Sequence, residues 1–562
     1  YMAYSLSPML LLRAAVSHFS KKDQVIFISL LFVAMISLLI LARAVDERYA
    51  NLSPLRGGTL REGVIGSPRF VNPLLATSDT DHDLVNLLYA GLMRHDNAGG
   101  FEPELAASYE ISPNGLMYTF HLRDNLVWHD GQPLTTEDIL FTIERARNPA
   151  IRSPLRAQWE GVAIEKIDER TLRFMLEKPY APFLAATTLG ILPKHLWNSI
   201  NPQEFTLSSL NRSPIGAGPY RVDSFKEKKE EGVSSYTLKA FPRYALSHPF
   251  IGRFIISVFS NEEELRLALR SGDIDAFGAL SPAKSLDLTP SLRVMRIPLP
   301  RLVGVFFNQE KNDLLASRLI RQALWRATDG ERIVREALGG EASLIASPLP
   351  HRDGDERPFA YDPAQAKKNI EQERAKNKKL PHLAFRLATA ANPQLTSIAS
   401  LLKAMWEEAG FSVELQIFDV ADLERNIIRP RDYDALLFGQ VVGYYPDPYA
   451  FWHSSQRTDP GLNIANYSNV KVDAFLQEAR SATDPTKQEM LYDSFIKVLS
   501  DDVPAIFLYR PVYVYAIPQT MQGISLDLIN LPSGRFEQVE QWYLREERTW
   551  DFLPNFLNKF IL

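Results

Sequence analysis

The chain has 562 residues, with 62 Lys and Arg against 67 Asp and Glu, and a formal net charge of −5. Hydrophobic residues make up 46% and charged residues 23%, as in soluble globular proteins. These values exclude a disordered chain, a collagen-like fibre, a polytopic membrane protein and a basic nucleic-acid binder. The complete lack of Cys excludes disulfides, zinc–thiolate sites, iron–sulfur clusters, cysteine nucleophiles and a lipid-modified cysteine.

The N-terminal region contains one long apolar run, residues 25–42, which holds 18 uncharged side chains. As a helix it measures about 27 Å, close to the roughly 30 Å hydrocarbon core of a bilayer. Two interpretations are open: an uncleaved signal anchor, or a signal peptide cut after Ala44 in the Ala-Arg-Ala site. The run exceeds the usual signal length, which favours the anchor. We therefore predict a cytoplasmic segment 1–24, a transmembrane helix 25–42 and a linker 43–56.

Local signals define several elements in the body that follows. Residues 116–123 alternate apolar and polar side chains, which predicts a half-buried strand. Thr135, with Asp138 three residues later, predicts a capping box at a helix start. Asn261 predicts another helix start, and Gly272 predicts the end of that helix.

The second half of the body alternates strands with helices. Strands are predicted at residues 383–389, 412–418 and 434–438, separated by helices at 393–409 and 421–428. This order predicts parallel strand pairing with right-handed crossovers. The body is therefore expected to be an α/β protein of at least two lobes, in which ligands bind at the carboxyl ends of the strands.

Motifs for catalysis or cofactor binding are lacking. The sequence contains no P-loop, no H-E-x-x-H, no G-x-S-x-G and no complete G-x-G-x-x-G. Gly216 and Gly218 begin such a glycine pattern, but Pro219 interrupts it, and backbone turns explain them better. His129, in Trp-His-Asp-Gly, is interpreted as a turn residue rather than a catalytic base.

Residues 79–83 (Asp-Thr-Asp-His-Asp) are similar to the start of a calcium loop. Leu84, however, stands where the sharp turn of that loop requires Gly. A polar loop in a cleft is the favoured interpretation. We predict no metal site, no cofactor and no enzymatic activity.

A series of short motifs recurs along roughly 450 residues of the body. They are Gly57-Gly58-Thr59-Leu60, Asn72-Pro73-Leu74, Tyr89-Ala90-Gly91-Leu92, Pro103-Glu104-Leu105-Ala106, Trp128-His129-Asp130-Gly131, Pro214-Ile215-Gly216-Ala217-Gly218-Pro219-Tyr220, Gly272-Asp273-Ile274-Asp275, Phe307-Asn308, Arg321-Gln322-Ala323-Leu324, Tyr361-Asp362-Pro363 and Tyr445-Pro446-Asp447-Pro448. In their order and spacing, these motifs resemble those of the extracellular solute-binding proteins of family 5, which serve oligopeptide, dipeptide and nickel uptake by ABC transporters.

The resemblance implies a two-lobed clamshell of the periplasmic-binding-protein fold, type II-like, with the extra subdomain of the peptide-binding branch. Lobe one is expected to comprise residues 57–299 and 503–562, and lobe two residues 300–502. Chain crossings near 301–306 and 503–509 would act as a hinge that closes on ligand.

The resemblance also implies a set of ligand-binding residues, four from each lobe. They are Thr77, Asp79, Asp81, His82, Tyr444, Tyr445, Asp447 and Trp452. Oligopeptide-binding members use an aspartate to hold the free amino group of the peptide, and Tyr444 aligns with that position. The ligand is therefore expected to lack a charged amino end or to use Asp79, Asp81 or Asp447 instead. Core packing is an equal alternative for Tyr444, Tyr445 and Trp452.

The function implied is that of a membrane-anchored solute receptor on the extracytoplasmic (periplasmic or cell-surface) side. It would deliver a peptide or peptide-like ligand to the permease subunits of an ABC transporter and their ATPases. A monomer is expected, attached to the cytoplasmic membrane through residues 25–42 and binding no nucleic acid. The alternatives are a receptor or adhesive protein that lost transport, and a cleft enzyme that uses carboxylates.

Overall fold

The computed structural model describes residues 20–49, 51–96, 100–180, 182–228, 232–279, 291–349, 358–376, 383–443, 447–482 and 484–549. The chain forms two compact units. The larger unit is Arg56–Trp542, and the smaller one combines the chain up to Leu55 with the chain from Tyr543 onward.

The smaller unit contains one long helix, Lys21–Tyr49, and a two-stranded antiparallel sheet of β1 (Asn51–Pro54) and β20 (Glu546–Thr549). The stretch Lys21–Leu41 has a mean hydropathy of 2.8 and is not buried, so length and composition would allow it to span a membrane. The predicted linker 43–56 differs from the structure, because the helix continues to Tyr49 and β1 follows. The residues after Ala42 include Arg, Ala and Glu, which favour helix.

The larger unit is a mixed α/β structure. Its strands are β2 (Thr59–Ile65), β3 (Met93–His95), β4 (Phe101–Pro103), β5 (Ala106–Ile111), β6 (Met117–Leu122), β7 (Val162–Lys166), β8 (Thr171–Leu176), β9 (Tyr220–Lys228), β10 (Gly232–Ala240), β11 (Arg253–Phe259), β12 (Ala276–Ala279), β13 (Leu292–Pro298), β14 (Arg301–Phe307), β15 (Ala342–Leu344), β16 (Ala384–Ala390), β17 (Ser412–Phe418), β18 (Ala435–Val441) and β19 (Ala505–Pro518). Its helices of eight or more residues are Asp79–Leu88, Thr136–Arg147, Glu262–Ser271, Arg318–Arg326, Gly330–Ala337, Pro363–Lys376, Pro393–Glu408, Val470–Ser481 and Pro485–Asp502.

Strand β19 links the two lobes of this unit. Its first part pairs with β14 and β15 as far as Pro511, and its second part, from Val512, pairs with β12 and β13. Below, lobe one denotes β2 to β13 together with the chain after Pro511. Lobe two denotes β14 to β18, the first part of β19 and the helices up to Asp502. The lobe limits given above from the resemblance stay a prediction.

Lobe two has the predicted order of strands and helices. Strand β16 pairs in parallel with both β17 and β18, as alternating strands and helices require. The helix Pro393–Glu408 packs on this sheet through Trp406, which is fully buried and whose Nε1 donates to Thr328 Oγ1 at 3.0 Å. Residues 421–428 are less regular than predicted, because Leu423–Ile428 is a π-helix.

Lobe one contains an antiparallel sheet in the order β5-β6-β8-β7. The predicted strand at residues 116–123 is β6. The predicted capping box is present, because Thr135 accepts from the start of helix Thr136–Arg147 and Asp138 accepts from the Thr135 amide. The helix that follows Asn261 ends, as predicted, at Gly272, which has a φ of 76°.

His129 joins two turns of lobe one through its ring. The Gly216 amide donates to His129 Nδ1 at 3.2 Å, so Nε2 carries the proton and donates to the Gly218 carbonyl at 3.1 Å. Burial lowers the pKa of His129 to about 4, and the ring is neutral. A Cβ on Gly216 would lie 1.8 Å from the Leu88 carbonyl oxygen. His129 and the two glycines therefore hold backbone segments together, as the turn interpretation expects.

We predict that Gly216→Ala destabilises the larger unit by several kcal/mol, because a backbone segment must move to admit the methyl group. Gly439→Ala is the matched control, since its nearest neighbour would be the Val303 side chain at 3.6 Å, an ordinary contact. Urea denaturation followed by circular dichroism measures both variants. Equal midpoints for the two would contradict the close approach of the backbones.

Candidate functional site

A cavity of about 780 Å³ opens between the two lobes of the larger unit. We call it the interlobe cavity. Lobe one contributes Val64, Ile65, Asp79, Thr80, Asp83, Glu262, Gly278, Tyr513, Pro532 and Arg535. Lobe two contributes Ala337, Leu338, Asn392, Pro393, Gln394 and Ser397. Val64 and Ile65 end β2, and Asn392 follows β16, so the cavity lies at the carboxyl ends of parallel strands.

Three helices begin at the interlobe cavity, starting at Asp79, Glu262 and Pro393. Each has a side-chain cap in the preceding residue. Ser78 accepts from the Asp81 amide at 3.1 Å, and Asn261 accepts from the Glu264 amide at 3.0 Å. Asn392 accepts from the amides of the second and third residues of its helix at 2.9 and 3.2 Å. The caps therefore bond one first-turn amide at each of the first two helices and two at the third, which reduces the attraction of these helix starts for an anion.

An ion triad is buried in the lobe-one wall of the cavity. Arg535 Nη1 and Nη2 donate to the two carboxylate oxygens of Asp83, both at 2.7 Å, and Arg535 Nε donates to Glu62 Oε1 at 2.8 Å. Tyr515 donates to the other Glu62 oxygen at 2.7 Å. Burial raises the pKa of both carboxyls, and the charge of Arg535 opposes this shift. Two carboxyl groups thus share one guanidinium, and the positive charge of Arg535 is already balanced within the triad.

The residues of the first predicted ligand loop do not all face the same cavity. Asp79 lines the interlobe cavity, and Thr77 is exposed beside it. Asp81 is buried, and its Oδ1 accepts from the amides of Arg69 at 2.8 Å and Phe70 at 3.0 Å, which fixes a neighbouring turn. His82 lines a different, smaller cavity. Asp79, Asp81 and His82 lie in the first turn of the helix that Ser78 caps. Asp81 accepts backbone amides and Asp83 pairs with Arg535, so these two carboxylates do not converge on one point as in a calcium loop.

The second predicted ligand loop is described only from its flanks, since Tyr444 and Tyr445 lie outside the described residues. Trp452 is 2% exposed, and its ring lies 5.9 Å from that of Phe507 and 6.2 Å from that of Phe306. Trp452 therefore packs in the core. Asp447 forms an ion pair with Arg480, with Oδ2 3.0 Å from Nη2. Burial raises the pKa of Asp447, and Arg480 opposes this shift.

Arg480 contacts both lobes next to this loop. Its guanidinium carbon lies 5.0 Å from the ring centre of Tyr180 in lobe one and 4.5 Å from that of Tyr449 in lobe two. Each such cation–π contact contributes about 0.5–1 kcal/mol where it is partly exposed. Together with the Asp447 ion pair, these contacts make Arg480 a bridge between the lobes.

Several cavity residues were not identified from the sequence. They are Glu262, Asn392, Gln394, Ser397, Tyr513 and Arg535. A signal existed for two of them: Glu262 and Asn392 stand at the start of helices that follow β11 and β16, both of which pair in parallel. The carboxyl-end rule applied to each such strand would have found both. Arg535 had no local signal, because its partner Glu62 is 473 positions away.

A second cavity, of about 170 Å³, lies within lobe one and contains buried acidic groups. Glu104 is 6% exposed and accepts from Tyr244 Oη at 2.6 Å and from the Gly91 amide at 2.8 Å. Burial raises its pKa to about 7, although Arg94 nearby opposes the shift. Burial also raises the pKa of Glu537, which lies on the same cavity wall. Arg94 is itself paired with Glu540 at 2.9 Å.

The comparisons with known proteins agree with one another. Residues 100–461 match the family described as bacterial extracellular solute-binding proteins, family 5 Middle. The oligopeptide-binding protein AppA of Bacillus subtilis is 27% identical over 543 residues, or 92% of this chain and 98% of AppA. Its structure in complex with a nonapeptide has a TM-score of 0.68 at 27% identity, covering 88% of this chain and 100% of that one.

Two further solved structures extend the comparison. The ABC transporter substrate binding protein CtaP of Listeria monocytogenes has a TM-score of 0.75 at 27% identity, covering 87% of this chain and 99% of CtaP. NikZ of Campylobacter jejuni, in complex with Ni(L-His), has a TM-score of 0.68 at 28% identity, covering 86% and 99%. Both match this chain over almost their whole length.

The buried carboxyl of Glu104 should make stability depend on pH. Its raised pKa means that the folded state favours the protonated acid. The stabilisation that Glu104 gives the fold is therefore complete below about pH 4.5 and is lost as pH rises through about 7. The free energy of unfolding should fall by up to about 3 kcal/mol across that window, and Glu104→Gln should flatten the slope.

Glu137→Gln is the control for this measurement. Lys166 and Lys194 lower the pKa of the exposed Glu137 carboxyl to about 2, so its titration lies below the window. Urea unfolding at five values between pH 5 and 8 gives the slope for each variant. A Glu104→Gln protein that keeps the slope of the unmodified chain would show that Glu104 does not titrate there.

Proposed function

Because this chain belongs to the bacterial extracellular solute-binding proteins of family 5, we propose that it captures a peptide or peptide-like ligand and delivers it to the permease of an ABC transporter. The observation that carries the proposal is the interlobe cavity, which residues of both lobes line at the carboxyl ends of parallel strands. AppA, whose structure holds a nonapeptide, supports the ligand class.

The chemistry of the cavity fits an extended peptide. Asn392, Gln394 and Ser397 of lobe two provide amide and hydroxyl groups, which can bond the amide and carbonyl groups of a ligand backbone. Val64, Ile65 and Leu338 provide apolar surface for side chains. Contacts on both lobes would favour the closed form, and the bridge made by Arg480 would add to it. We further propose a contact role for Thr77 and Asp79, and for the loop with Tyr444 and Tyr445.

Ligand capture is tested on the full-length chain in detergent. Native mass spectrometry with synthetic tripeptide and nonapeptide libraries should show a one-to-one complex, and isothermal titration calorimetry on the selected peptides should give the affinity. Failure of both libraries to bind would overturn the proposal.

Closure is tested by distance measurement, which the lack of native Cys makes direct. Glu165→Cys in lobe one and Lys487→Cys in lobe two place spin labels at exposed positions. A selected peptide should shift the electron–electron distance distribution to shorter values, and Arg480→Met should reduce the closed fraction because the bridge is lost. A distribution unchanged by saturating peptide would contradict closure.

We also propose that the helix Lys21–Tyr49 anchors the protein in the cytoplasmic membrane, with the larger unit on the extracytoplasmic side. The hydropathy of Lys21–Leu41 supports this, although a signal sequence has the same property. The protein should remain in the membrane fraction after carbonate extraction, with residues 21–41 retained in its peptide map. A soluble protein whose N-terminus is Val45 would identify a cleaved signal instead.

A further inference from the structure

The charged groups of the interlobe cavity are mostly acidic. Among the described residues that line it, Asp79, Asp83 and Glu262 are carboxylates and Arg535 is the single cation. Arg535 is 1% exposed and already holds Asp83 and Glu62. It therefore cannot neutralise a ligand anion without leaving a buried carboxylate unpaired, which costs several kcal/mol. The triad as a whole carries no positive charge toward the ligand.

Asp79 and Glu262 differ from the triad, because in the described part of the chain no ion pair involves either of them. Asp79 is exposed to the cavity, and Glu262 is half-buried at the start of its helix. The other carboxylates near the predicted ligand loops have partners: Asp81 accepts two backbone amides and Asp447 pairs with Arg480. Two carboxylates thus face the cavity with their charge available.

The helix starts at the cavity oppose the negative charge of these carboxylates, since each helix start carries a partial positive charge of about 0.5. Three such ends supply about 1.5 positive charges at most, and their caps reduce this because the first amides are already bonded. Asp79 and Glu262 supply two full negative charges, to which the triad of two carboxyls and one guanidinium adds one at most. The negative charge of the carboxylates at the cavity therefore exceeds the positive charge of the three helix ends.

Among its described residues, the wall formed by lobe two has no charge that would alter this balance. Its described residues are Ala337, Leu338, Asn392, Pro393, Gln394 and Ser397. These groups can bond a ligand backbone without regard to its charge. Of the described lining residues, only those of lobe one can select ligands by charge.

We propose that the interlobe cavity selects cationic ligands, peptides with lysine or arginine side chains, and that Asp79 and Glu262 are the residues that determine this selectivity. This inference rests on the proposed function and adds the charge class of the ligand to it. Desolvation strengthens the attraction, because the pair forms in a cavity partly closed to water. Acidic solutes are disfavoured by the same two carboxylates.

The test compares three tripeptides of similar size on the full-length chain by isothermal titration calorimetry: trilysine, its analogue with three Nε-acetyl-lysines, and triglutamate. Trilysine should bind at least tenfold tighter than the acetylated analogue, a difference of about 1.4 kcal/mol. Triglutamate should bind weakest. The preference for trilysine should decrease at 0.5 M salt, because screening weakens charge attraction.

Two variants locate the effect. The double variant Asp79→Asn with Glu262→Gln should reduce the ratio of the affinities for trilysine and for the acetylated analogue to less than about threefold. Glu263→Gln is the matched control, since it removes one charge from the adjacent, exposed position of the same helix. It should retain the preference.

The outcomes separate this inference from the proposed function. A chain that binds all three peptides with equal affinity overturns charge selection and leaves peptide capture intact. A preference that survives in the double variant shows that other residues select charge, and overturns the assignment to Asp79 and Glu262. A chain that binds none of the three, and no library peptide, contradicts the proposed function and this inference together.

Discussion

The bidentate ion pair between Arg535 and Asp83, with Glu62 as the third member, is the interaction on which lobe one depends. It joins β2, the helix Asp79–Leu88 and the C-terminal segment of the larger unit, and Tyr515 brings in β19. All three charged groups are buried. Removing the guanidinium would leave two buried carboxyls without a counter-charge, at a cost of several kcal/mol. The C-terminal segment is thereby held against the wall of the cavity.

This arrangement also determines the chemistry of the cavity. A binding protein with a free arginine at this place would attract carboxylate ligands. Here the arginine is used internally, and the acidic side chains Asp79 and Glu262 remain on the surface of the cavity. The starts of three helices lie at the same place, as they must when helices follow the carboxyl ends of parallel strands. Their caps and the neighbouring carboxylates reduce the attraction for anions that such helix ends usually have.

The two lobes are connected by continuous strands rather than by flexible loops. β19 pairs with strands of both lobes, and only Leu299 and Pro300 separate β13 from β14. In the closure proposed above, these strand connections would form the hinge. Arg480 forms a further link between the lobes through its contacts with Tyr180 and Asp447.

The sequence by itself determined the family, the α/β fold and many local elements. The capping box at Thr135, the helix end at Gly272 and the parallel pairing of β16 with β17 follow from short-range patterns, since capping and periodicity depend on residues a few positions apart. Motifs in constant order identified the solute-binding family, which residues 100–461 confirm.

Only the tertiary structure decided which polar residues are free to meet a ligand. Asp79, Asp81 and Asp447 look equivalent in the sequence, yet Asp81 binds backbone amides, Asp447 pairs with Arg480 and only Asp79 lines the cavity. Arg535 and Glu62 could not be matched from the sequence, because a contact across 473 positions leaves no local pattern. The charge of a side chain is a property of the sequence, but its availability depends on the partner that folding brings beside it.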